Sequence, residues 1–119
     1  MRVLVCGSRH FNDYAKLCNE MDKLPLDENQ PITIILGEAR GADTLAKRYA
    51  EECGWNYEGY PADWNTYGKR AGPIRNRRML VEGKPELVVA FLAPDSRGTQ
   101  NMIDQSKKAG VEVYVVEIA

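Results

Sequence analysis

No apolar stretch in this chain approaches the length needed to cross a membrane. The amino-terminal "MRVLVCGSR" has only four apolar residues after Arg2 before a glycine intervenes, too short for a signal-peptide core. Cysteine is scarce: Cys6, Cys18 and Cys53 are odd in number and far apart, with no CxxC pair. That suggests neither a disulfide framework nor a metal site, and it fits a reducing cytoplasm. An excess of charge of either sign is also missing. Sixteen basic against seventeen acidic side chains leave a net charge of -1, so no overall field draws the chain to nucleic acid or to an anionic membrane, and any basic site has to be local. There is no internal repeat and no low-complexity run. "GSRHFN" lacks the second and third glycines of GxGxxG, and GxxxxGK[ST] does not occur, which disfavours a dinucleotide fingerprint and a P-loop. No cofactor is called for.

What the chain does have is enough apolar material for one core. With 119 residues, 44% hydrophobic and 28% charged, it reads as a single domain spanning 1–119. Apolar runs at 2–6, 32–37, 86–93 and 112–118 are rich in β-branched residues and mostly continuous, as strands are when both faces of a sheet are covered. "WNYEGY" (55–60) alternates and reads as a fifth strand near an edge. Between them, Phe11, Tyr14, Leu17, Cys18, Met21 and Leu24 recur at helical spacing, as do Ala42, Leu45, Ala46, Tyr49, Ala50 and Cys53 before Gly54. A third helix is expected within 68–82 and a fourth from about Gly98 to Ala109, ended by Gly83 and Gly110. The alternation predicts a three-layer, Rossmann-like α/β fold, with a mainly parallel five-stranded sheet in the order 3-2-1-4-5 and helices on both faces.

In such sheets ligands bind at the carboxyl ends of the strands, beside the reversal of winding. Four unusual stretches each follow a strand and so share that rim: "CGSR" (6–9), "GEARGAD" (37–43), "YPADWNTYG" (60–68) and "APDSRGT" (93–99). Taken singly, Gly7 supplies turn geometry, and Ser8 and Thr99 cap helices. Taken together, the rim places Gly7, Ser8 and Arg9, then Gly37, Gly41, Ala42 and Asp43, around one anion site. Glycine-turn amides and helix amino termini at Gly7, Ser8, Gly98 and Thr99 can receive a phosphate there. In "KRAGPIRNRRM" (69–79), Arg75 shares a face with Met79 and becomes the candidate phosphate or ribose contact, with Asn76 turned towards the ligand or the preceding loop. Arg77 and Arg78 read as surface charge. Tyr60, Trp64 and Tyr67 form either a lid over the core or a stacking surface for a base. Asp43 and Asp63 cap or face helix amino termini, or accept a hydrogen bond from a ribose or base. His10, the one histidine, has no acid or nucleophile partner.

The motifs "VLVCGSR", "GEARGAD", "YPADW", "GPIRNRRM" and "RGT", in this order across nearly the full length, resemble the YspA group of the SLOG superfamily, Rossmann-like relatives of the Lonely Guy and DprA proteins. The resemblance implies binding, sensing or processing of a nucleotide or nucleotide-derived ligand, and pairing of copies into a homo-oligomer. Lonely Guy enzymes are phosphoribohydrolases, and their PGGxGTxxE motif is met here at Pro94, Gly98 and Thr99. Asp95 and Ser96 replace the two glycines, and Met102 stands at the glutamate. Their functional arginine, four residues before a methionine, corresponds to Arg75. The phosphate-holding half is thus kept, while a thioether cannot replace the carboxylate; Glu38 and Asp43 are the weak catalytic candidates left. The leading expectation is therefore a nucleotide-type ligand bound at the rim. The alternatives are a nucleoside-phosphate hydrolase and, prompted by the DprA likeness, single-stranded DNA binding, against which the near-zero net charge argues.

Overall fold

The strands form where β-branched residues are densest, and every one of them runs parallel to its neighbour. In the computed structural model, which describes residues 1–27 and 29–119, β1 (Arg2–Gly7) lies at the centre. It pairs with β2 (Thr33–Leu36) on one side and with β4 (Leu87–Leu92) on the other. The short strand β3 (Asn56–Gly59) closes one edge and β5 (Glu112–Glu117) the other, giving the order β3-β2-β1-β4-β5. The order and the edge position of β3 match the expectation. The winding reverses between β1 and β4.

Alternate residues of each strand feed two separate half-cores. Val3, Val5, Ile34, Leu36, Val89 and Phe91 face α1 (Tyr14–Asp22) and α2 (Ala42–Cys53). Leu4, Cys6, Ile35, Val88 and Ala90 face α4 (Ala71–Val81) and α5 (Arg97–Lys108) through Met79, Met102 and Ile103. Because β1, β2 and β4 are covered on both faces, their sequences are continuously apolar rather than alternating.

Three local features depart from the sequence expectations. Phe11 fits the helical spacing but lies outside α1: Asp13 accepts a hydrogen bond from Lys16 N, so the helix starts at Tyr14, and Phe11 stacks on Phe91 with ring centroids 5.1 Å apart. The 60–68 segment contains a four-residue helix, α3 (Trp64–Tyr67), capped by Asp63 and followed by a single 3-10 turn over Gly68–Arg70. Trp64 (56% exposed) and Tyr67 (44%) point outward, so the lid-over-core reading fails for both. Among the described residues no helix is long and apolar enough to cross a membrane.

Candidate functional site

The rim at the carboxyl ends of the strands is organised around one glycine. Gly37 follows β2, and its N–H donates to Asp43 Oδ2 at 3.1 Å, while its carbonyl accepts from Arg75 Nη1 at 2.6 Å. The same Asp43 oxygen also takes the Ala39 N–H at 3.1 Å. A side chain on Gly37 would overlap the Arg75 guanidinium, with Cζ 2.8 Å from a Cβ built there. Glycine at this position permits the close approach of the guanidinium rather than supplying a special φ.

Arg75 extends the connection. Its Nε donates to Asn76 Oδ1 at 3.0 Å, and Asn76 Nδ2 donates to Gly98 O at 3.3 Å and to Asn101 Oδ1 at 3.1 Å. A continuous chain of hydrogen bonds thus runs Asp43, Gly37, Arg75, Asn76, Gly98, from α2 on one face of the sheet to α5 on the other. The spacing that places Met79 in the core also holds Arg75 at its margin: Met79 is 1% exposed and Arg75 is half-buried. Burial lowers the Arg75 pKa, and the neighbouring Asp43 opposes that shift. Its Nη2 has no acceptor among the described residues.

The amino terminus of α5 has no side-chain cap, and its first amide, of Arg97, donates to Asp95 O at 3.0 Å. The hydroxyl oxygen of Ser96, its N-cap, accepts the Ala93 N–H at 3.3 Å and caps no helix amide. Gly98 lies in the first turn with open space where a Cβ would stand. Of the other starts, α1 and α3 are capped by Asp13 and Asp63, while α2 and α4 also lack a side-chain cap and their first amides donate to Ser8 O at 3.2 Å and to Gly68 O. The α2 start is also crowded, since Gly41 has φ +78 and a Cβ there would collide with the carbonyls of Ser8 and Arg9. Gly7 packs equally tightly, 2.7 Å from Ala42 Cβ by the same construction.

The rim residues therefore separate into groups. Gly37, Asp43, Arg75, Asn76 and Gly98 join in one chain, and Gly7, Ser8, Gly41 and Ala42 pack beside it. Ser8 caps no helix: its hydroxyl accepts the His10 N–H at 3.2 Å. Thr99 is buried in the first turn of α5, 5% exposed, and does not cap it either. Arg9 is exposed, and Asp63 and Trp64 sit on α3, with Trp64 lying over Gly72 of α4. Asn101 was not anticipated, although it falls one turn after Gly98 on the same face of α5. Two clefts of about 620 and 410 Å³ open on the β5 side of the rim. One lies between Pro94–Arg97 and Glu117, the other between His10–Asp13, Lys16 and Ile118; of the expected residues only Ser8 lines either.

Of the two carboxylates considered for catalysis, Asp43 is 5% exposed and engaged with two amides, a poor position from which to activate water. Burial pushes its pKa up to about 6 from an ordinary 3.8, against the opposing pull of the Ala39 and Gly37 amides and of Arg75. The folded state consequently binds this proton more tightly than the unfolded chain does. The contribution to stability is full below about pH 4 and is lost as the pH rises to about 6, by at most about 3 kcal/mol. Denaturant unfolding at steps between these limits should give a Asp43→Asn protein whose stability, relative to the parent, improves with rising pH; parallel profiles would refute the assignment. Glu38 is exposed and has a φ of 56.

A family model described as the YspA, cpYpsA-related SLOG family matches residues 1–67, which include Gly37 and Asp43 but stop short of Arg75 and Gly98. Gene 61 protein of Mycobacterium phage D29 is 35% identical over 121 aligned positions, covering 94% of this chain and 93% of that protein. Among solved structures, DNA processing protein A (DprA) from Streptococcus pneumoniae shares the fold with a TM-score of 0.74 at 18% identity, over 99% of this chain and 50% of that one. The chain thus spans half the length of that protein. Through the matched half of its length and its phage relative, the chain belongs to the YspA, cpYpsA-related SLOG family.

Proposed function

We propose that the rim binds a nucleotide or nucleotide-derived ligand, with a phosphate received between the Arg75 guanidinium and the uncapped start of α5 at Gly98, as a sensor or ligand-processing domain. The observation that carries this reading is the hydrogen-bonded chain from Asp43 through Gly37, Arg75 and Asn76 to Gly98. It fixes a guanidinium that still has a donor to give beside the amides of Gly98 and Thr99, which have no acceptor among the described residues, so little ordering is left to be done on binding. Calorimetry with mononucleotides, with dinucleotides and with ADP-ribose tests it. Saturable heat from at least one of them, lost in Arg75→Ala, is the expected result, and no binding by any of them removes the reading.

A second reading has its own observation. Trp64 and Tyr67 present exposed rings on α3, and Lys69 and Arg70 follow with no ion-pair partner among the described residues. Aromatic faces beside free cations suit a single nucleic-acid strand, and the fold is shared with a protein named for DNA processing. Fluorescence anisotropy with a labelled oligothymidylate should then show binding that weakens by roughly tenfold or more between about 50 and 200 mM salt and is lost in the Trp64→Ala, Tyr67→Ala double variant. Absence of binding at the lower salt would discard this reading and leave the small-ligand one untouched.

A further inference from the structure

Glu38 spends conformational energy in a place where glycine would not. Its φ of 56 is in the left-handed region, uncommon for a residue with a Cβ. The surroundings over-determine that conformation. The preceding residue, Gly37, is held by Asp43 at its N–H and by Arg75 at its carbonyl, and the following N–H, of Ala39, is held by Asp43 as well. On the other side, Gly59 ends β3 opposite Leu36, and a Cβ there would overlap the Glu38 carboxyl group. The backbone is fixed and the floor is cleared, yet the carboxylate accepts no hydrogen bond among the described residues. Lys47, whose pKa is raised chiefly by its hydrogen bond with Tyr57, also feels the Glu38 charge.

An ionised carboxylate can only accept. Held open at the end of β2, one residue beyond the Arg75 clamp, it offers two oxygens to a pair of hydroxyl donors and repels any further phosphate. In doubly wound sheets that position is suited to a ribose. The geometry points to Glu38 as the acceptor for a ribose 2′,3′-diol, so that the ligand is a ribonucleotide with a free 2′-hydroxyl, discriminated both from its 2′-deoxy and from its 2′-phosphorylated counterpart. The inference rests on the nucleotide reading of the rim and deepens it.

Calorimetric titrations with adenosine 5′-monophosphate, its 2′-deoxy analogue and adenosine 2′,5′-bisphosphate test it in the parent, Glu38→Gln, Glu38→Gly and Arg75→Ala proteins. In the parent, the deoxy analogue should bind about tenfold more weakly and the 2′-phosphorylated one about 30-fold more weakly, from a lost charge-assisted hydrogen bond and from like-charge repulsion respectively. Glu38→Gln should abolish most of the penalty against the 2′-phosphate, and Glu38→Gly should remove both preferences without lowering the thermal midpoint. Arg75→Ala should weaken all three nucleotides by a similar factor. Equal preferences in the parent and both Glu38 variants, with Arg75→Ala still weakening binding, would overturn the role of Glu38 and spare the nucleotide reading. No binding of the monophosphate by the parent would overturn this inference while leaving the wider ligand panel to judge the rim. Release of free adenine that depends on Glu38 would also overturn it, since the carboxylate would then act on the reaction rather than on the diol.

Discussion

Replacing Gly41 by alanine should lower the unfolding free energy by about 3 kcal/mol and the thermal midpoint by on the order of 10 °C. Gly41 is the N-cap of α2, with φ 78 and ψ -122, a conformation that L residues avoid. A Cβ added there would also collide with the carbonyl groups of Ser8 and Arg9. Those are backbone atoms, so relief requires moving the β1–α1 loop or the start of α2. Neither moves cheaply: the Ala42 N–H is bonded to Ser8 O, and Phe11 anchors the same loop on Phe91. Denaturant unfolding monitored by circular dichroism measures the loss. A Gly41→Ala protein within about 1 kcal/mol of the parent would show that the loop can yield, which the tertiary bonding around it argues against. Gly98 provides the contrast, because alanine there meets open space within a helical turn and should leave the fold as stable or slightly more so.

The largest effect on ligand affinity is expected from Arg75→Ala, about 100-fold in Kd for a phosphate-bearing ligand, the size of one lost charge-assisted, fork-shaped contact. The truncation also leaves the Gly37 carbonyl without its donor and Asp43 without the nearby cation. Some loss of stability therefore accompanies the loss of affinity. Arg75→Lys separates the two: it retains a positive charge next to Asp43 but not the planar fork, so most of the stability should return while most of the affinity does not. Calorimetry and thermal unfolding on the same preparations give both quantities. Full affinity in Arg75→Lys would mean that charge alone, without shape, is what the ligand requires, and unchanged affinity in Arg75→Ala would move the phosphate elsewhere.

Much of the architecture could be read from the residues because it depends on short-range pattern. Continuous apolar runs marked the covered strands β1, β2 and β4, and the alternation of 55–60 marked one edge, since β3 lies against only one neighbour; the continuous run at 112–118 misled, because β5 is the other edge and four of its six residues are exposed. Where the sequence misled, a tertiary contact had overridden a local signal. Phe11 carries helical spacing but serves the loop, because stacking on Phe91 and capping by Asp13 outweigh one more helical turn. Trp64 and Tyr67 left a lid over the core and a stacking surface both open, and their exposure follows from a four-residue helix that meets α4 where Trp64 lies beside Gly72. At the rim, the spacing of Arg75 and Met79 gave the right face of α4. The inward turn of Asp43 onto the Gly37 and Ala39 amides was not readable, since it depends on how a five-residue loop closes. The bridge by Asn76 to Gly98 and Asn101 depends in the same way on how α4 lies against α5.

Asp43 reaches Gly37 from the helix on one side of the sheet, and Arg75 reaches it from the helix on the other. One residue thereby acts as a rivet through an otherwise continuous apolar wall, joining two oily compartments that the strands keep apart. Slackening either grip would let the loops over the strand ends drift independently while both compartments stayed shut, so a chain that still melts sharply could nonetheless have lost its ability to hold a small molecule in register.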